Sequence, residues 1–245
     1  VRAVAGHRHE PTAGEGDLKH DVTTAFQKVQ RKHHGLRKVL EAQPENAVAS
    51  RALQQLKAQG VQEVILGTGY RAEQIEDFFS DGKNLGLRLH YSHEDQPLGT
   101  GGALKLAEEL LSDPVLVLNG DSYVEWNLAT MRDLFREKNA DIVMILQSVA
   151  DVGRYGSVAM DASGRITEFV EKGTRTGSGV INAGIYLLRR EIVTGLTLGS
   201  AISLEREVFP RFLGERFYGL ISRGTFIDIG IPADLQRAQT IFRSS

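Results

Sequence analysis

The stretch Pro114-Val-Leu-Val-Leu-Asn-Gly-Asp121-Ser122 decides the fold. A short apolar run between a proline and an Asn-Gly pair reads as a strand buried on both faces, the pattern of a parallel sheet. It ends on a carboxylate. In open α/β sheets ligands sit beyond the carboxyl ends of strands, and an Asp there can hold a hard cation such as Mg2+ against phosphate oxygens. The plainer reading of Asn119, Gly120 and Asp121 is a turn, and one strand ending in Asn-Gly-Asp supports no more than that.

Working outward, the chain alternates between helical and extended patterns from Arg51 onward. Arg51 to Gln59 reads as the end of a helix stopped by Gly60, Val61 to Leu66 as a strand, and Ala72 to Phe79 as a helix. Leu87 to Tyr91 is extended, Thr100 to Leu111 helical after a glycine-rich entry, Asn127 to Lys138 helical, and Ile142 to Val149 a strand. That order is the βαβ signature of a doubly wound, mostly parallel, Rossmann-like α/β sheet. After Ala150 the rhythm changes to hairpin additions: Gly156 to Met160, a turn, Arg165 to Glu171, then Val180 to Leu188. A helix around Leu204 to Phe212 follows, then extended segments Phe217 to Ile221 and Phe226 to Ile229, and a last helix from Pro232 to Phe242. Such additions on a parallel core commonly wall a ligand pocket.

The 245 residues, 41% hydrophobic and 24% charged, suit one large α/β domain or two small ones. A net charge of -2 leaves no electrostatic footprint for nucleic acid or an anionic membrane. Without cysteine there is no disulfide, no thiolate nucleophile and no Cys-based zinc site. No apolar run approaches the roughly 20 residues of a spanning helix, and a cytoplasmic setting is expected. The composition leaves a homo-oligomer open.

Residues 1–50 stand apart. They hold five of the seven histidines (His7, His9, His20, His33, His34), and Asp17 to Lys32 is polar with a thin helical stripe of Leu18, Val22, Phe26 and Val29. The expected division is an atypical, disordered or mis-framed segment over 1–50 and one domain over 51–245. His33 and His34 are neighbours in sequence and do not share a helix face, which argues against a metal site there.

Five segments carry the chemistry. Glu94-Asp-Gln-Pro97-Leu98-Gly99-Thr100-Gly-Gly-Ala103 is a strand-to-helix loop whose glycines let backbone N–H groups approach a ligand, ahead of a helix N-terminus that favours anions. Leu118-Asn-Gly-Asp121 is the second. Gly153-Arg-Tyr-Gly156-Ser-Val158, followed by Phe169-Val-Glu171-Lys172, sets a carboxylate beside an ammonium at a strand end; alone, that pair reads as a solvated surface pair. Ile181-Asn182-Ala-Gly184-Ile-Tyr186 offers small residues and one amide with room for a polyhydroxylated ligand. Phe226-Ile-Asp228-Ile-Gly230 is another apolar strand ending on an Asp. Two such strand ends, Asp121 and Asp228, suggest one shared cation, Mg2+, with a general acid/base pair as the alternative. The glycine loop implies a phosphorylated partner and favours the metal.

Taken together and in this order, Pro97-Leu-Gly-Thr-Gly-Gly102, Leu118-Asn-Gly-Asp121, Glu171-Lys172, Asn182-Ala-Gly184 and Phe226-Ile-Asp-Ile-Gly230 resemble the sugar-1-phosphate nucleotidyltransferase family. The likeness is strongest to its bacterial heptose- and mannose-1-phosphate guanylyltransferase branch, and it runs from about Arg51 to Arg243. The resemblance implies transfer of a nucleotidyl group from an NTP, GTP by preference, to a sugar 1-phosphate, with pyrophosphate leaving. It implies Asp121 and Asp228 as Mg2+ ligands, Glu94, Pro97, Leu98, Gly99 and Thr100 around base and ribose, Gly156, Glu171, Asn182 and Gly184 on the sugar, and Lys172 on its phosphate. Attack on an α-phosphate needs positioning and charge neutralisation more than covalent chemistry, which agrees with those roles. Glu94 also bears on the base, since a carboxylate can accept from two donors on guanine's edge and from one on thymine's or uracil's.

The resemblance also implies an opening strand central to the sheet, followed by Gly-Gly-x-Gly-Thr-Arg and a Pro-Lys pair that wrap the triphosphate. Neither motif occurs here; Val1-Arg-Ala-Val-Ala-Gly6-His-Arg8 is a faint echo. One arginine given to a phosphoryl-transfer transition state is worth about 10³ to 10⁵ in rate. The abrupt change near Arg51 favours a mis-framed segment. The alternatives are a module that binds nucleotide-sugars without making them, and cations supplied by Arg8, Lys19 or Arg31. Without the opening strand, Val61 to Leu66 and Pro114 to Leu118 are expected to lack a neighbour for their backbone groups.

Overall fold

The computed structural model describes residues 24–27, 44–69, 72–170 and 175–229. Glu171 and Lys172, Gly230 and the last expected helix lie outside these residues. Its strands are β1 (Thr24–Gln27), β2 (Glu63–Thr68), β3 (Arg88–His93), β4 (Val115–Asn119), β5 (Ser122–Val124), β6 (Ile142–Val149), β7 (Ser157–Met160), β8 (Ile166–Val170), β9 (Gly179–Leu188), β10 (Phe217–Ser222) and β11 (Phe226–Asp228). The α-helices are α1 (Pro44–Ala58), α2 (Ala72–Phe79), α3 (Gly99–Leu106), α4 (Leu128–Glu137) and α5 (Arg190–Thr194).

A nine-stranded sheet forms the centre, in the order β10-β6-β9-β4-β1-β2-β3, with β7 and β8 attached beside β9. β4, β1, β2 and β3 are mutually parallel, and so are β6 and β10; β9 runs antiparallel between the two groups. Every strand of that path other than β9 therefore points the same way. The ends of β2, β3, β4 and β6 share one edge with the start of β9.

β4 shows why the opening stretch reads as it does. Its alternate residues enter two cores: Leu116 and Leu118 pack with α1 and α4 residues on one face, and Val115 and Val117 pack with Leu104, Val193 and Phe209 on the other. On the second face Phe209 meets Tyr186 edge-on at 4.8 Å and packs tilted against Phe217 at 5.4 Å. α4 starts where expected because Asn127 accepts from the Thr130 N–H at 2.8 Å, an N-cap bond.

Two expectations are corrected. The place between β2 and β4 is filled: Thr24–Gln27 forms β1, parallel to both, pairing Ala25 with Ile65 and with Val117. A four-residue strand in a polar stretch carries too little periodicity to announce itself, and its neighbours supply the pairing. The second correction concerns Val180 to Leu188, which is no peripheral hairpin. As β9 it is inserted in the middle of the sheet, and only β7 and β8 form the hairpin addition. A fully apolar run such as Ile185 to Leu188 fits a central strand of either direction, so composition does not reveal its sense.

Candidate active site

Several of the expected residues lie along the shared strand-end edge. Glu94 follows β3, Asn119 ends β4 with Asp121 two residues beyond it, Gln147 to Val149 end β6, and Asn182 lies near the start of β9. Asp228 arrives from elsewhere. β11 pairs antiparallel with β5, Asp228 opposite Ser122, and the Ile229 N–H donates to the Asp121 carbonyl at 3.0 Å. This two-stranded ribbon puts Asp228 one residue across from Asp121. Carboxylates are the donor type that a hard divalent cation takes, so the chemistry of Asp121 and Asp228 fits Mg2+.

A cleft of about 480 Å3 opens beside Asp228, which lines it with Gln147, Asp151, Tyr155, Thr225 and Phe226 among others. Tyr155 meets Phe226 edge-on at 5.9 Å, and the Asp151 carboxylate accepts from the N–H groups of Gly153 and Gly177 at 3.0 and 2.9 Å. Those bonds hold its carboxyl below the usual carboxylate range. Gly156 follows Tyr155 and leads into β7; a Cβ on it would come within 3.1 Å of the Val170 carbonyl. Gln147 and Tyr155 are absent from the sequence-derived set, because an amide at a strand end and an aromatic in a loop are common anywhere.

The glycine loop behaves differently from the expectation. Gly101 and Gly102 direct their N–H groups to the Ile202 carbonyl, at 2.7 and 3.4 Å, and the Ile202 N–H returns to the Leu98 carbonyl at 2.8 Å. A Cβ on Gly102 would stand 2.4 Å from the Ser200 carbonyl oxygen, and one on Gly99 2.5 Å from that of Ile202. These glycines therefore let a second backbone segment lie against the loop, and the two N–H groups are not offered to an anion. Glu94, only 5% exposed, accepts from the Leu98 N–H at 2.8 Å and so shapes the loop itself. Leu98 is buried, while Pro97 and Gly99 are exposed.

Asn182 is set by a bulge. Opposite β6 the register steps from Ile185 against Ile145 to Asn182 against Leu146, leaving Ala183 and Gly184 as the extra residues. Gly184 sits at φ +79, and a Cβ there would meet Asn119 Nδ2 at 2.8 Å and Ser122 Oγ at 2.9 Å. Asn182 Oδ1 accepts from the Gly184 N–H at 2.8 Å, and its Nδ2 donates to the Tyr186 hydroxyl at 2.7 Å. An amide has two donors and two lone pairs, so the bonds at Asn182 do not exhaust it. Tyr186 donates onward to Glu205 Oε1 at 3.1 Å. Burial first, and the Glu205 charge second, push the Tyr186 hydroxyl well above its ordinary pKa. Glu205 Oε2 accepts from Thr100 at 2.8 Å and from Ser203 at 3.0 Å. Tyr186 and Glu205 are also missing from the sequence-derived set, since a core tyrosine and a helical glutamate announce nothing on their own.

The chain belongs to the nucleotidyl transferase family, whose profile matches residues 36–244. It is 36% identical over 189 residues to a mannose-1-phosphate guanylyltransferase of Mycobacterium tuberculosis, covering 76% of this chain and 53% of that protein. It is 38% identical over 186 residues to a D-glycero-alpha-D-manno-heptose 1-phosphate guanylyltransferase of Aneurinibacillus thermoaerophilus, covering 75% of this chain and 80% of the relative. The chain thus spans about half the length of the first relative and four fifths of the second. Among solved structures, HddC of Yersinia pseudotuberculosis in complex with GMP-PN aligns with a TM-score of 0.76 and 30% identity, over 91% of this chain and 99% of that one. No helix among the described residues is long and apolar enough to cross a membrane.

Proposed function

We infer that this chain transfers GMP from GTP to a sugar 1-phosphate, giving a GDP-sugar and pyrophosphate, in the cytoplasm. The observation that carries the reading is the ribbon that sets the backbone of Asp228 across from that of Asp121, with Asp228 lining the cleft. The relatives' named activities support the same chemistry. In this reading the two aspartates hold Mg2+, which when bound neutralises charge on the phosphates. The loop from Glu94 through Pro97, Leu98, Gly99 and Thr100 seats base and ribose. Gly156, Glu171, Asn182 and Gly184 face the sugar, and Lys172 its phosphate. The chain's own part is to bind both substrates, align the sugar phosphate for attack, and keep water from competing.

A second reading is favoured by one observation: no Gly-Gly-x-Gly-Thr-Arg and no Pro-Lys occur in the chain. A protein lacking the cations those motifs supply would bind a nucleotide-sugar without making it. Pyrophosphate release with GTP, Mg2+ and mannose 1-phosphate or heptose 1-phosphate, run beside a binding measurement with the GDP-sugar, separates the two. Release establishes the transferase; tight GDP-sugar binding with no release establishes the binding module.

A further inference from the structure

Thr100 and Tyr186 stand on elements far apart in sequence and meet on one carboxylate. Thr100 donates to Glu205 Oε2 at 2.8 Å, Tyr186 to Oε1 at 3.1 Å, and Asn182 donates to the Tyr186 hydroxyl at 2.7 Å. Thr100 also accepts from the Leu204 N–H at 2.7 Å, so the loop is tied twice to the same turn. That turn, Leu204–Val208, is a single π-helical turn, a form concentrated at functional positions. Its start is fastened reciprocally: Ser203 Oγ accepts from the Arg206 N–H at 3.3 Å, and Glu207 accepts from the Ser203 N–H at 2.9 Å. Tyr186, at 0% exposure, cannot exchange its partner for water.

We propose that Glu205 is a positioning residue that locks the nucleotide loop (Leu98 to Gly102) to the bulge of β9 carrying Asn182, holding the two substrate subsites in one register. This rests on the assignment of Thr100 to the nucleotide side and Asn182 to the sugar side. A charged acceptor shared by the Thr100, Tyr186 and Ser203 hydroxyls makes a network in which each bond strengthens the others. Loss of the carboxylate therefore loosens both subsites together, whereas two independent subsites would respond separately.

The test uses the full chain and three substitutions, Glu205→Gln, Tyr186→Phe and Thr100→Val. Glu205→Gln keeps side-chain volume and guards against simple collapse. The first readout is amide exchange at Gly101 in the free protein, whose N–H bonds to Ile202 and not to the network. Coupling predicts that Tyr186→Phe and Glu205→Gln each speed that exchange roughly tenfold, the scale of one hydrogen bond to a charged group. The second readout is kinetic. Tyr186→Phe, placed on the sugar side, raises the KM for GTP as well as that for the sugar phosphate, and its effect combines non-additively with Thr100→Val. In a Glu205→Gln background the non-additivity shrinks to within about twofold, the scatter expected of independent sites.

Unchanged Gly101 exchange and an unchanged GTP KM in Tyr186→Phe overturn the proposal. So does a lowered melting temperature with both KM values intact, which would make the network purely structural. The exchange arm needs no ligand. A wild-type chain that releases no pyrophosphate refutes the assigned activity, while Gly101 exchange still decides the coupling.

Discussion

The Ile229 N–H donates to the Asp121 carbonyl at 3.0 Å, and that bond closes the end of a ribbon in which Asp228 faces Ser122. Two strand-end aspartates from distant parts of the chain are held side by side by backbone, so side-chain changes there leave the scaffold in place.

Asp121→Asn and Asp228→Asn are therefore expected to fold normally and to lose roughly 10²-fold or more in turnover, the scale seen when one electrostatic stabiliser is removed. The matching measurement is Mg2+ titration of pyrophosphate release. In wild type, chelation is expected to abolish turnover and Mg2+ to restore it; a variant retaining wild-type Mg2+ response would take its aspartate out of the proposed metal site.

The glycine loop predicts a loss of stability before a loss of chemistry. Gly102→Ala places a methyl 2.4 Å from the Ser200 carbonyl oxygen, an overpacking that costs about 1–3 kcal/mol. In a chain of this size each kcal/mol lowers Tm by roughly 2–4 °C. Calorimetry on Gly102→Ala decides it: an unchanged Tm with failed GTP binding would return the glycine to a direct phosphate role.

Gly184→Ala combines two penalties, a side chain at φ +79 and contacts of 2.8 Å to Asn119 and 2.9 Å to Ser122. Left-handed backbone alone costs about 1–2 kcal/mol. The sugar phosphate KM is expected to rise with the stability loss, because the bulge that aims Asn182 must shift. Equal KM values in variant and wild type would separate Asn182 from the sugar.

Alkaline stability depends in part on two tyrosines. Tyr91 is pushed up to about 12, by burial first and by Glu76 and Asp81 next, and Tyr186 is raised well above its ordinary value. Near pH 10 the unfolded chain begins to lose the phenolic protons while the folded chain keeps them, so the folded state binds more protons and stability falls as pH rises. Their contribution is whole below pH 10 and declines through the window from 10 to about 12 for Tyr91. Urea midpoints measured from pH 8.5 upward should fall less steeply in Tyr91→Phe and Tyr186→Phe than in wild type.

We propose that base choice rests on Glu94. Its Oε2 accepts from the Leu98 N–H, and a carboxylate offers about four lone-pair sites, so that bond leaves acceptor capacity unused. GTP is expected to bind more tightly than dTTP, and Glu94→Gln, which keeps an acceptor for the loop, to narrow the difference. Equal wild-type affinities for the two nucleotides would remove Glu94 from base selection.

Most of the sheet was legible from residues. Ala72–Phe79 and Ile142–Val149 form the expected elements end to end, and β4 begins one residue after Pro114, because each carries a clear period or an unbroken apolar run. β1 was not legible, being four residues of a polar stretch whose strand state comes from β2 and β4 on either side. The sequence shows Asp121 and Asp228 as carboxylates at or just past strand ends, Asp228 ending β11 and Asp121 two residues beyond β4, but it does not single out Glu205, since nothing local distinguishes it from any other helical glutamate.

By itself the sequence determined the alternation of strands and helices, the identity of the family, and the carboxylates at or just past the ends of β4 and β11. Those are local properties, written in periodicity, turn residues and short motifs. Tertiary structure decided the rest: that β9 runs antiparallel in the centre, that Gly101 and Gly102 give their N–H groups to Ile202, and that Thr100 and Tyr186 share Glu205. Each of these depends on which distant segment arrives to offer a partner. A hydrogen-bonding group declares its need in the sequence, but only the packed chain settles what satisfies it.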